Sequence, residues 1–169
     1  MTKQESFKKA FMPAYAIIQQ LKGEHYLPER IVRTALEVYK KLMNSKGTRG
    51  RNREELVKAC IMIASDNLNY PLMIKEWKNK ELMKQKRHVN RTIGLKQRRV
   101  EAHMYASRIG WELKLSEEEI SEAIKLCGEG HGTGIACAAL NKACRVSLRK
   151  LARITGLSRN YVWRLSKHL

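Results

Sequence analysis

Residues 27–38, LPERIVRTALEV, are matched by residues 115–126, LSEEEISEAIKL. Position for position, Leu27, Val32, Ala35, Leu36 and Val38 align with Leu115, Ile120, Ala123, Ile124 and Leu126, and Pro28 aligns with Ser116. Apolar residues at three- and four-residue spacing mark one face of a helix. Each copy therefore reads as an amphipathic helix with its own starter: a proline set for the first turn, or a serine that caps it. Further along, Val57-x-Ala59-Cys60-Ile61-x-x-Ala64 pairs with Ala136-x-Ala138-Ala139-Leu140-x-x-Ala143, nine residues closer than the first match, as a shorter loop in the second copy requires. Small residues at those positions let neighbours surround a central helix closely. A duplication of this length means two similar helical units.

The same periodicity recurs nearly everywhere, and no stretch alternates with period two for long. It predicts helices over 5–22, 28–43, 52–66, 71–82 and 84–93, then over 97–113, 116–127, 133–145, 147–154 and 158–168. Asn44 to Gly50 is a loop, Ser116 with Glu119 forms a capping box, Gly156 ends one helix and Ser158 caps the next. The expected fold is all-α: two tandem five-helix repeats, 1–94 and 95–169, the second ending in a helix-turn-helix. Only three prolines and ten glycines in 169 residues argue against a turn-rich β fold.

The charge is strong and segregated. Lys and Arg number 34 against 16 Asp and Glu, a formal net charge of +18. Lys75 to Val100 carries ten basic and two acidic residues, and Gly130 to Leu169 carries eight basic and none acidic. Between them lies an acidic island of Glu112, Glu117, Glu118, Glu119, Glu122 and Glu129. Segregation of this kind builds a positive surface whose commonest partner is a phosphate backbone. Lys75 to Val100 has few of the anchors that a membrane-surface helix needs, and no apolar run approaches the roughly 20 residues of a spanning helix. The N-terminus has no apolar segment of a secretory signal. The four cysteines have no paired framework and read as thiols of a reducing, cytoplasmic compartment.

The strongest local signal is residues 147–169, SLRKLARITGLSRNYVWRLSKHL. Ala152 stands where the first helix of a helix-turn-helix approaches the second, and Gly156 follows where the turn needs positive φ. Leu148, Leu151, Leu157, Val162 and Leu165 supply the shared core. The second helix then presents Ser158, Arg159, Asn160, Trp163, Arg164 and Lys167 outward. Arginine suits guanine edges, asparagine suits adenine, and basic groups suit phosphates. Ser158, Arg159, Asn160 and Trp163 are the candidate base contacts, and Arg149, Lys150, Arg164 and Lys167 the candidate phosphate contacts.

These residues in this order resemble the core of the TFIIB family of transcription factors, archaeal transcription factor B included, whose two cyclin-like repeats would cover nearly the whole chain. The first repeat carries the resemblance through Leu27-Pro28, Ala35, Tyr39-Lys40, Arg49-Gly50-Arg51, Glu55, Ala59-Cys60, Ala64, Pro71 and Glu76. The second carries it through Leu115, Ala123, Gly134-Ile135-Ala136, Ala138-Ala139-Leu140, Leu151-Ala152 and Gly156 to Leu169. The resemblance implies double-stranded promoter DNA and TATA-binding protein as partners, with RNA polymerase a further one. It implies that the first repeat contacts TATA-binding protein and that Ser158 to Lys167 reads an element upstream of the TATA box. Asn160 and Trp163 lie where family members place base-contacting residues. Trp163 replaces the family's arginine, with Arg164 adjacent, which implies a changed sequence preference. The loop Arg49-Gly50-Arg51 resembles the one that reaches the minor groove, where a narrow groove attracts arginine.

Three departures accompany the resemblance. The chain has no CxxC pair for the family's N-terminal zinc ribbon, so it is expected to be either an excised core or a diverged ribbon-less relative. Ser65-Asp66 stand where the first central helix usually ends in a basic residue. His131-Gly132-Thr133-Gly134 replace the proline before the second central helix. A ribbon-less relative acting as a protein-binding regulator of TATA-binding protein or polymerase, through the acidic island, is the rival expectation.

No catalytic or cofactor chemistry is expected. Cys127, His131, Cys137 and Cys144 lack zinc-knuckle spacing, and the three cysteines read as small buried thiols. Gly128 to Gly134 follows a helix rather than a strand and lacks the Gly-Lys-Ser/Thr ending of a phosphate loop. H-E-x-x-H and G-x-S-x-G are absent, so no small-molecule substrate is implied. The expected setting is the cytoplasm, at the nucleoid.

Overall fold

The computed structural model describes residues 3–169. Among them are nine α-helices, one short 3-10 turn and no strand, so the all-α expectation holds. The chain forms two compact units. One takes residues up to Leu68 together with Glu76–Arg98, and the other takes Asn69–Lys75 together with Arg99–Leu169. No helix among the described residues is long and apolar enough to cross a membrane.

The first unit contains α1 (Lys3–His25), α2 (Glu29–Asn44), α3 (Arg53–Asn67) and α4 (Lys80–Thr92). The apolar stripe of α2 (Ile31, Val32, Ala35, Val38) is buried, as its period requires. In α3, Leu56, Val57, Ala59, Cys60, Ile61, Ile63 and Ala64 are all buried. A helix apolar on every side must be surrounded, and α3 is the centre of its unit. Asn52 starts it by accepting from the Glu55 amide at 3.2 Å.

The second unit contains α5 (Ala102–Glu112), α6 (Glu117–Cys127), α7 (Thr133–Cys144), α8 (Leu148–Thr155) and α9 (Arg159–Ser166). Here α7 is central: Ala136, Cys137, Ala138, Ala139 and Leu140 are buried in succession. The capping box of α6 forms as expected. Ser116 Oγ accepts from the Glu119 amide at 3.2 Å, and the Ser116 amide donates to Glu119 Oε2 at 2.8 Å. The two stretches aligned in the sequence thus occupy the same places in their units, α2 with α6 and α3 with α7.

Three elements differ from the periodic reading. The predicted helices 71–82 and 84–93 are instead irregular backbone, a 3-10 turn at Lys75–Trp77 and the single helix α4. The first unit therefore holds four α-helices, not five. Asn79 restarts the helix by accepting from the Leu82 amide at 2.8 Å, which sets the break before residue 80 and not after 82. The predicted helix 97–113 begins only at Ala102. Its first residues are held extended: the Ala102 amide donates to the Gly130 carbonyl at 2.8 Å, and the Gly132 amide to the Val100 carbonyl at 2.9 Å. Residues 69–75, expected in the first repeat, cluster with the second unit. There Arg108 donates to the Pro71 carbonyl at 2.6 Å and lies 5.5 Å from the centre of the Tyr70 ring, while Met73 packs on the apolar core.

Candidate nucleic-acid interface

The turn between α8 and α9 is built from local chemistry. Gly156 adopts φ +72°, and its amide donates to the Ala152 carbonyl at 2.9 Å, closing α8. Thr155 is buried beneath it and donates to the Leu151 carbonyl at 2.8 Å. Serines open both helices: Ser147 Oγ accepts from the Lys150 amide, and Ser158 Oγ from the Tyr161 amide at 3.2 Å. Leu151 and Val162 are fully buried and join the two helices to α7.

Close approach of α7 to α9 depends on Gly134. A Cβ there would come 2.8 Å from the Tyr161 ring and 2.9 Å from Leu165, so any larger residue would displace these two side chains. Tyr161 is consequently turned sideways against α7. The rest of the exposed α9 surface carries Arg159, Asn160, Trp163 and Arg164.

That surface contains the residues singled out in the sequence. Ser158, Arg159, Asn160, Trp163, Arg164 and Lys167 are all exposed, as are Arg149 and Lys150 on α8. Two are engaged with neighbours. Lys167 Nζ lies 3.6 Å from the centre of the Trp163 ring, a cation held by the ring's negative face. Arg164 Nε donates to the Asn160 carbonyl at 3.4 Å. Trp163 is 47% exposed, so one face remains open while the lysine covers the other.

The α2–α3 loop belongs to the first unit. Arg49 and Gly50 are exposed, and Gly50 has φ +65°, a conformation that favours glycine. Arg51 is exposed as well, but Nη1 donates to Gln85 Oε1 on α4 at 3.0 Å. His88 on α4 forms a 2.8 Å hydrogen bond with the Gly47 carbonyl. Two tethers thus fix the loop to α4. Sequence reasoning named the loop and missed its platform; the signal was the spacing of Lys84, Arg87, His88 and Arg91 on one helix face.

Asp66, noted as a departure, meets Lys86 of α4 in an ion pair whose side chains are only 16% and 9% exposed. Cys60, Cys127 and Cys137 are buried, and burial pushes the Cys127 thiol up to about 11. Cys144 donates to the Glu119 carbonyl at 3.1 Å. No three metal-ligating side chains converge among the described residues.

Fold and site together define an all-helical, two-repeat protein that exposes a basic helix-turn-helix. Residues 7–89 match the family described as Transcription factor TFIIB repeat. The chain is 27% identical over 138 residues to the transcription initiation factor IIB of Pyrobaculum arsenaticum, and 26% identical to that of Pyrobaculum islandicum. Each alignment covers 78% of this chain and 41% of the relative, so the chain spans about two fifths of the length of the relatives it matches. The first unit is thus similar to a TFIIB repeat, and the relatives that the chain resembles are named as transcription initiation factors, not as enzymes.

Proposed function

We propose that this protein binds double-stranded promoter DNA together with TATA-binding protein, and that α9 reads an element upstream of the TATA box from the major groove. The observation that carries this reading is the helix-turn-helix itself. Its glycine turn, two serine caps and buried Leu151–Val162 core hold α9 so that Arg159, Asn160, Trp163 and Arg164 all face solvent. No acidic residue lies between Gly130 and Leu169 to repel a phosphate backbone. Arg159 and Asn160 carry the direct readout, with Ser158 and Trp163 beside them. Arg149, Lys150, Arg164 and Lys167 position the helix on phosphates. The Arg49-Gly50-Arg51 loop of the first unit enters the minor groove, where its cations find the strongest potential. The role is one of binding at the nucleoid, with RNA polymerase recruited to the assembled complex.

Fluorescence anisotropy on a TATA-box duplex with an upstream purine-rich element tests the reading, with and without TATA-binding protein, across a salt series. Tight binding that depends on TATA-binding protein is the expected result. In the same assay Lys150→Ala weakens all sequences alike. Binding that ignores both sequence and TATA-binding protein would reduce the protein to a basic DNA-coating factor. Absence of binding would remove DNA from its function.

A further inference from the structure

Asn160, Trp163, Arg164 and Lys167 follow one another at helical spacing and form a single exposed ridge along α9 and its C-terminal cap. Three of them are polar or charged, and Trp163 alone offers the ridge a large apolar surface. The neighbouring Val162 is fully buried and does the packing, whereas Trp163 stays 47% exposed. Its indole N–H donates to no group among the described residues. The ring is nevertheless held. Lys167 Nζ stands 3.6 Å from its centre, and Ser166 Oγ donates to the Trp163 carbonyl at 2.9 Å. One face of the indole is therefore covered by a cation from the next turn, and the other is open. Such a hold lessens the side-chain freedom that a new contact would otherwise have to remove.

An indole has one N–H donor and no acceptor. Every base pair presents acceptors in the major groove, so that single donor discriminates little. Stacking is closed to it as well, because the faces of duplex bases are already covered by their neighbours. What remains is apolar contact, and the apolar group on a base edge in that groove is the 5-methyl of thymine. We infer that Trp163 is a specificity-determining residue, which selects thymine at one position of the element by packing its open indole face on the 5-methyl group. The inference rests on the major-groove reading of α9 and adds to it a base that hydrogen bonding does not select. Arg159 and Asn160, one turn earlier, read by hydrogen bonds; Trp163 reads by apolar contact.

The two kinds of contact are separable, because deoxyuridine lacks the methyl of thymine and keeps every hydrogen-bonding atom. A preferred duplex is first enriched from a randomised pool by the full chain with TATA-binding protein present. Each thymine of the enriched element is then replaced in turn by deoxyuridine, and affinity is read by fluorescence anisotropy for wild type, Trp163→Ala, Trp163→Phe and Asn160→Ala. One replacement is expected to weaken the wild type about fourfold, the effect of returning one methyl group to water. Trp163→Ala is expected to bind the thymine and deoxyuridine forms of that duplex equally, while Trp163→Phe, which keeps an aromatic face, still tells them apart. The wild-type comparison needs no variant, so it holds even where Trp163→Ala fails to fold. Deoxyuridine forms that all bind the wild type as tightly as the thymine form overturn the methyl contact. If Asn160→Ala still narrows the difference between the enriched and a scrambled duplex, α9 remains the reader. A methyl effect that survives Trp163→Ala overturns the assignment to this residue. A loss in Trp163→Ala of equal size on both forms, seen only with TATA-binding protein present, assigns the indole to a protein surface and overturns the inference too. Enrichment of no sequence overturns the major-groove reading and the inference with it.

Discussion

Ser158 and Asn160 stand two positions apart on the same exposed surface, yet their side chains have different obligations. The Ser158 hydroxyl already accepts the Tyr161 amide and starts α9. Ser158→Ala is therefore expected to cost about 1 kcal/mol of stability without any DNA present, as measured by urea denaturation. The Asn160 side chain makes no hydrogen bond among the described residues, so its removal leaves stability unchanged. On the proposed reading, Asn160→Ala instead costs about 1–3 kcal/mol on the preferred duplex and little on a scrambled one. Equal loss on both duplexes would take it out of the base-reading set. Cys127 contributes a pH effect of definite sign. Burial, and then the neighbouring Cys137, hold its thiol up to about 11, while the unfolded chain keeps the ordinary thiol value. The unfolded state therefore loses its proton first, and stability declines as pH rises from that ordinary value through about 11. Urea midpoints across this range are expected to fall less steeply for Cys127→Ala than for the wild type.

Among the helices, α4 carries the most chemistry that periodicity alone did not assign. Its inner face buries Leu82, Gln85, Lys86 and Val89, and its outer face carries Lys84, Arg87 and Arg91. A lysine in a basic run normally reads as solvated. Lys86 is turned inward because Asp66, at the end of α3, meets its ammonium there. Removing one partner of a nearly buried pair leaves the other charge desolvated without its counter-ion. Lys86→Met is expected to lower stability by about 3 kcal/mol in a denaturant titration, far more than truncation of exposed Lys84. The aspartate that looked like a departure from the family pattern thus has a structural partner. A side chain's direction around a helix follows from period, but which lysine finds a buried carboxylate depends on how two helices cross.

Over the whole chain, residues 69–75 leave the sequence order of the first unit and cluster with the second. Arg108 grips the Pro71 carbonyl from 37 residues away, and Lys75 reaches the Arg153 carbonyl from 78 residues away. Arg108→Ala is expected to free this segment, and faster tryptic cleavage after Lys75 would report it. Unchanged cleavage would mean that Met73 and the apolar core hold the segment without the arginine.

The repeat, the helical class, the caps at Ser116 and Ser158, and the glycine turn of the helix-turn-helix were all legible before any coordinates. Each is written within a few residues, where side-chain period and backbone hydrogen bonding are local matters. The failed helix at 71–79, the late start of α5, the Lys86–Asp66 pair and the tether joining Arg51 to α4 were not. Their partners lie tens of residues apart, and a sequence pattern carries no measure of that distance. Chain folding alone brings Arg108 to Pro71, Gly130 to Ala102 and Arg51 to Gln85. These long-range bonds satisfy backbone and charged groups that local structure leaves open, and so they overrule the local helical preference wherever the two conflict.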